Sequence, residues 1–226
     1  MVAVGMIIFT VAVFLLMTRL YARLYHPLFV PVLTSTALIA GVLLIFQIPY
    51  ETYMAGGRWV DAFLGPAVVA LAYPMYRQRH VIKDYMFPIM AGILTGLITA
   101  LVTGYIFAKM AGVDRAYILT MVPKSLTAPV AIPVSAEIGG IPAMTIVFTM
   151  VAGFTGIVLG PALLRALGIN KPLGRGMAFG SASHALGTAK AFEYGEESAS
   201  MSSVAMSLSA VFGSVIGPLF VWLVHI

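Results

Sequence analysis

The sequence predicts an all-α polytopic membrane protein of about seven to eight hydrophobic segments, and three observations predict it. Hydrophobic residues fill 61% of the 226 positions and charged residues only 9%, where a soluble domain carries about 25% charged. So little polar surface cannot clothe a globule in water. Apolar runs near the length that spans a bilayer recur with short connections, and basic residues gather in alternate connections. No linker interrupts the series, so residues 1–226 are expected to form a single transmembrane domain, multi-pass, in a cell (inner or plasma) membrane.

The segments follow in order. Residues 2–18 are apolar, with no basic residue ahead of them and Arg19 and Arg23 behind, which reads as an uncleaved span rather than a signal peptide. Segments 28–48, 62–76 and 86–108 come next, with Gly56-Gly57-Arg58-Trp59 expected as an external turn carrying an interfacial aromatic. Residues 116–136 are apolar but hold Pro123, Pro129 and Pro133. Each proline removes a helix hydrogen bond and crowds the preceding turn, so a break is expected there. Segments 143–164, 176–192 and 200–224 complete the series. The last carries Ser200, Ser203, Ser207, Ala210 and Ser214 in one stripe, a close-packing face that would also suit a homodimer, with pore lining as the alternative.

Lysines and arginines assign the sides. Eight of the thirteen lie in three connections: Arg19 and Arg23; Arg77, Arg79 and Lys83; Arg165, Lys171 and Arg175. These are expected to be cytoplasmic, which puts the N-terminus outside and the C-terminus inside. The bookkeeping works only if 116–140 enters and leaves on one side, as a re-entrant segment. Non-helical backbone at that depth must be covered by protein or line a wet cavity.

The chain also aligns with itself at a shift of 115. Val32, Thr34, Ala37, Gly41 and Leu44 fall on Val147, Thr149, Ala152, Gly156 and Leu159; Gly65, Ala67, Ala70 and Leu71 fall on Gly180, Ala182, Ala185 and Leu186. An inverted repeat of units 28–109 and 143–224 is expected, the broken segment 116–140 between them and a site at their interface. The alternative is chance alignment of helices rich in packing glycines.

Two cations, Lys124 and Lys190, fall inside apolar segments. A lysine at mid-bilayer costs about 2.5–3.5 kcal/mol on insertion scales, so each calls for a reason. Lys124 stands with Ser125 and Thr127 among the prolines, a broken helix lined with donors that suits a small organic anion; the alternative is a lysine snorkelling to the interface. Ser181, His184 and Thr188, at i, i+3 and i+7, share a helical face near Lys190, which a kink at Gly187 could bring round. Here the alternatives are a packed histidine, a Lys190 that snorkels outward from near the end of its segment, and a Lys190–Glu193 pair at i,i+3. The expected substrate-binding set is therefore Lys124, Ser125, Thr127, Ser181, His184, Thr188 and Lys190.

Other chemistries fade. Ser183 and His184 are adjacent and diverge on a helix, and no Gly-x-Ser-x-Gly elbow occurs, so no enzyme is expected. Without cysteine and with only four histidines, no metal or other cofactor is expected. A phosphate-binding loop is absent. The net charge of +5 reports topology rather than nucleic acid.

The segments Phe63–Ala67, Pro123–Pro129, Gly139–Pro142 and Gly180–Ala189, in this order, resemble the LrgB/CidB/YohK family over residues of about 25–225. The family pattern Pro-Lys-Ser-Val-Thr-Thr-Pro-Ile-Ala differs here at Leu126, Ala128 and Val130, with one hydroxyl lost; where relatives often carry arginine, Lys190 keeps the charge. The resemblance implies two functions. One is a carrier of small monocarboxylates such as pyruvate, glycolate or glycerate, acting with an LrgA/CidA-type membrane partner. The other is an antiholin- or holin-like modulator of murein hydrolases and cell lysis. An inverted repeat with lysines at membrane depth suits the carrier better, because a pore of simple oligomerising spans requires neither.

Overall fold

The computed structural model describes residues 2–24, 29–70, 72–77 and 79–226. Regular structure among them is helical, as composition and segment length require. Among the described residues, four helices are long and apolar enough to cross a bilayer: Val2–Leu24 (α1), Met86–Met110 (α7), Pro142–Ala166 (α10) and Glu196–Leu223 (α12). Between α1 and α7 lie α2 (Pro31–Ile45), α3 (Tyr50–Asp61), α4 (Leu64–Ala70), α5 (Ala72–Arg77) and α6 (Arg79–Asp84). The remaining helices are α8 (Arg115–Met121), α9 (Ala128–Glu137) and α11 (Pro172–Ala191).

The chain forms two compact units, Met1–Val68 and Val69–Ile226. The boundary falls within the expected repeat unit 28–109. In the first unit α1 packs on α2 and α3. The expected turn at residues 56–59 is instead part of helix α3. Its Gly56 lies so close to Ala3 and Met6 of α1 that a Cβ there would collide with them, which explains a glycine in a helix interior.

The second unit is built on α7 and α12, which run parallel. Ile89 and Ile93 of α7 pack with Met201, Val204 and Ala205 of α12 near one end. Near the other, the rings of Tyr105 and Phe220 meet edge-on at 5.8 Å. In lipid such packing gains contact rather than transfer from water, so close fit decides stability.

Two segments dip into this frame and return. In the first hairpin α8 ends in a 3₁₀ turn, Val122–Ser125; Leu126 and Thr127 are extended, and α9 leads back. Pro123 sits in the turn and Pro129 in the first turn of α9, where no hydrogen bond is sacrificed. Pro133 is accommodated inside α9. Val122 and Val134, on opposite arms, both reach Gly217 of α12, while Leu126 at the tip fills the space over Gly213. The arms are tied at their base: the Ile141 N–H donates to Thr120 Oγ1 at 2.8 Å, and Thr145 Oγ1 donates to Ser135 Oγ at 2.6 Å. Residues 116–140 thus enter and leave at one end.

The second hairpin corrects an expectation. Residues 176–192 do not cross as one span; α11 breaks at His184, whose φ of 53° and ψ of −130° are non-helical. On an unbroken helix Phe179 and Tyr194 would lie over 20 Å apart, yet their rings are 5.5 Å apart. The Arg175 guanidinium lies 5.1 Å from the same Tyr194 ring, and Phe179 shares a cluster with Ala191 and Leu164. Glycine allows the fold-back: Gly187 touches the Phe179 backbone, and Gly176 and Gly180 lie against the α12 backbone at Ser198 and Ser202. The kink therefore falls at His184 rather than Gly187. Because this segment returns, 165–175 and 193–197 share one end, and α12 carries the C-terminus to the other.

α10 connects the hairpins. Its Thr145 meets the base of the first, Gly153 faces Leu186, Gly156 faces Ser183, and Gly160 faces Phe179. The serine stripe of α12 packs partly inside the unit, with Ser203 and Ala210 buried and Ser200, Ser207 and Ser214 half-buried.

Candidate functional site

The hairpins enter from opposite ends, and their tips meet. His184 Nε2–H donates to the Lys124 carbonyl oxygen at 3.1 Å. A break in a helix leaves carbonyls unpaired, and a buried unpaired carbonyl is costly. Here the break of one hairpin satisfies the break of the other.

Beside this junction lies an open cavity of about 480 Å³. The first hairpin lends it Met121, Lys124 and Ser125; the second lends Ser181 and Ala182; α7 supplies Gly96, Ala100, Thr103, Gly104 and Phe107. The wall is largely apolar, with a few polar groups converging, the usual composition of a small-molecule site. The Lys124 ammonium donates to the Ala100 carbonyl at 3.3 Å. A Cβ on Gly104 would come within 2.8 Å of Lys124 Nζ, so the missing side chain makes the ammonium's seat. One acceptor leaves two of its three N–H groups for a ligand.

The expected set of seven divides here. Lys124, Ser125 and Ser181 come together on the cavity. Ser181 Oγ also donates to the Met177 carbonyl at 2.7 Å, which leaves its lone pairs available. His184 is buried behind the wall as the clasp between the tips. Thr188 is buried too, bonded to the His184 carbonyl at 3.1 Å and to Ser202 Oγ at 3.0 Å. Thr127 is buried at the start of α9, off the lining.

Lys190 sits on the returning arm, off the cavity, and pairs with Glu193 Oε2 at 2.6 Å. This i,i+3 pair is the alternative that the sequence offered for Lys190.

The α7 wall was missed. Its signal was present as the glycines Gly92, Gly96 and Gly104, at multiples of four, with Thr99 and Thr103 in an otherwise apolar span. Spacing of that kind marks a close-approach face without saying what approaches.

The model of the LrgB-like family matches residues 10–223. The chain is 53% identical over 225 residues to "Uncharacterized protein YxaC" of Bacillus subtilis, covering 100% of this chain and 98% of that one. It is 40% identical over 223 residues to "Holin-like protein CidB" of Staphylococcus aureus, covering 99% and 97%. A third relative, "Uncharacterized protein YwbG" of Bacillus subtilis, is 36% identical over 202 residues, covering 89% of this chain and 90% of that one. No solved structure matches.

Proposed function

The chain belongs to the LrgB-like family, and on that premise we propose that it is a membrane carrier of small monocarboxylates such as pyruvate, glycolate or glycerate. One observation carries the reading: a lysine ammonium, seated against a glycine of α7, faces a cavity beside the meeting tips of two re-entrant hairpins. A cation at that depth is expensive unless it has work to do, and a singly charged carboxylate would neutralise it. Discontinuous helices that meet at the bilayer midplane are a recurrent way to build transporter sites. Hairpins entering from opposite ends would give each side of the membrane its own gate.

The basic residues support an orientation. Arg79, Lys83, Arg165, Lys171 and Arg175 belong to the end where the second hairpin enters, and Lys109 and Arg115 to the other. We assign the first end to the cytoplasm, which places the C-terminus outside, opposite to the orientation expected from the sequence.

A second reading rests on the printed name of the Staphylococcus aureus relative, a holin-like protein: the chain would modulate murein hydrolases and lysis as a holin- or antiholin-like protein. One experiment separates the two. Proteoliposomes holding the purified protein, with and without an LrgA/CidA-type partner, are assayed for uptake of labelled pyruvate, glycolate and glycerate and for leakage of a trapped dye. Saturable uptake without leakage is the expected result. Leakage without saturable uptake would transfer the assignment to the holin-like reading.

A further inference from the structure

The second unit contains its own inverted repeat, shorter than the 115-residue self-alignment. Helices α7 and α10 are each 25 residues long and begin and end 56 positions apart. Both close with the same hydrogen-bonded cap. Val113 N–H donates to the Ala108 carbonyl at 3.0 Å, and its counterpart Ile169 donates to Leu164 at 2.9 Å. The glycine in each cap, Gly112 or Gly168, has φ +66°. Each is followed by a hairpin, and the hairpins leave through Gly139 and Gly195, both with positive φ and again 56 apart. Identical residues at this spacing include Gly104 and Gly160, Met121 and Met177, Glu137 and Glu193. The two pairs run in opposite directions, so the repeat is inverted.

At the same spacing Ser125 falls on Ser181, and both line the cavity. Their preceding residues do not match: Lys124 falls on Gly180. A side chain cannot be added at 180, where a Cβ would run into the Ser202 carbonyl and Ala205 of α12. The packing of the second hairpin therefore fixes one cationic half and one neutral half. We propose that the site reads a ligand with two polar ends. Lys124 and Ser125 take the carboxylate, and Ser181, the repeat mate of Ser125, hydrogen-bonds the uncharged polar group on the neighbouring carbon. Ser181 then determines specificity: it separates 2-hydroxy acids from plain acids of the same length.

This rests on the carrier reading, and the test keeps the two apart. Uptake of labelled glycolate and acetate, and of lactate and propionate, is measured in proteoliposomes of the parent, Ser181→Ala, Ser181→Thr and Ser125→Ala. The parent should prefer the hydroxylated member of each pair. Ser181→Ala should reduce that preference about tenfold, the size of one hydrogen bond, because the hydroxylated acids lose more than the plain ones. Ser181→Thr should retain the preference, and Ser125→Ala should weaken all four acids alike. A preference unchanged in Ser181→Ala, or all four acids lost together there while Ser181→Thr is active, would overturn the assignment of Ser181. A parent that takes up pyruvate but none of the four, or that shows no preference within either pair, would overturn the proposed selectivity. One that takes up neither pyruvate nor any of the four, with or without an LrgA/CidA-type partner, would overturn the carrier reading itself.

Discussion

The two hairpins of the second unit perform the same task by different means. Residues 115–140 turn through a segment whose break is written into its covalent structure. Pro123 and Pro129 withhold backbone donors, and the turn residues keep ordinary negative φ, Leu126 at −111° and Thr127 at −66°. Residues 172–194 turn at one non-glycine residue, His184, with φ at +53°. Such a conformation costs on the order of 1–3 kcal/mol and persists only where surroundings over-determine it. Those surroundings are Gly187 on Phe179, Gly180 on Ser202, and the bond from the His184 ring to the Lys124 carbonyl. A break enforced by its own sequence can be carried anywhere. One enforced by neighbours exists only when those neighbours are in place, which makes the second hairpin the part whose shape depends on the first.

The sharpest challenge to this comparison is whether the second segment returns at all. The chain has no cysteine, so single cysteines report cleanly. Gly168→Cys and Glu196→Cys should react with an impermeant maleimide from one side only, the cytoplasmic one, and His225→Cys only from outside. An Glu196→Cys variant labelled from the side opposite to Gly168→Cys would restore a full crossing and remove the second hairpin.

The lysines test the hairpins at the level of charge. Lys124→Met deletes the cation on the cavity, and uptake or binding should fall roughly ten- to over a hundredfold, as for a lost hydrogen bond to a charged group. Lys190→Met removes one partner of the Glu193 pair on the returning arm, in which Glu193 is 44% exposed, and pairs with one partner open to solvent contribute about 0–1 kcal/mol. Its uptake should stay within a few-fold of the parent. Equal losses in both variants would return Lys190 to the ligand and break the division between arms.

The smallest effect concerns how each turn is held. His184→Ala loses the bond to Lys124 yet keeps a side chain at positive φ, whereas His184→Gly loses the bond and relieves the backbone. In thermal unfolding in detergent, the glycine variant should be the more stable of the two by about 1 kcal/mol. At Leu126, where φ is −111°, the order should reverse, with alanine the milder change. Glycine ranking below alanine at both positions would mean that His184 carries no backbone strain.

The sequence by itself determined the membrane class, the first broken segment and the family. Each of these rests on residues acting locally: apolar runs of spanning length, prolines that forbid their own hydrogen bonds, and motifs in fixed order. It also brought Lys124, Ser125 and Ser181 into one candidate set. Only the tertiary structure decided that 172–194 turns back, and much followed from that one turn. Lys190 came to pair with Glu193, the C-terminus came to lie at the end opposite 165–175, and a 56-residue repeat emerged. The 115-residue self-alignment instead links α2 of the first unit to α10 of the second. The physical reason is the source of the constraint. Proline restricts φ through a ring bonded to its own nitrogen, while His184 is held by Phe179, Ser202 and Lys124, the last sixty residues away. A local pattern of apolar, small and polar residues reads as an ordinary helix until those partners arrive.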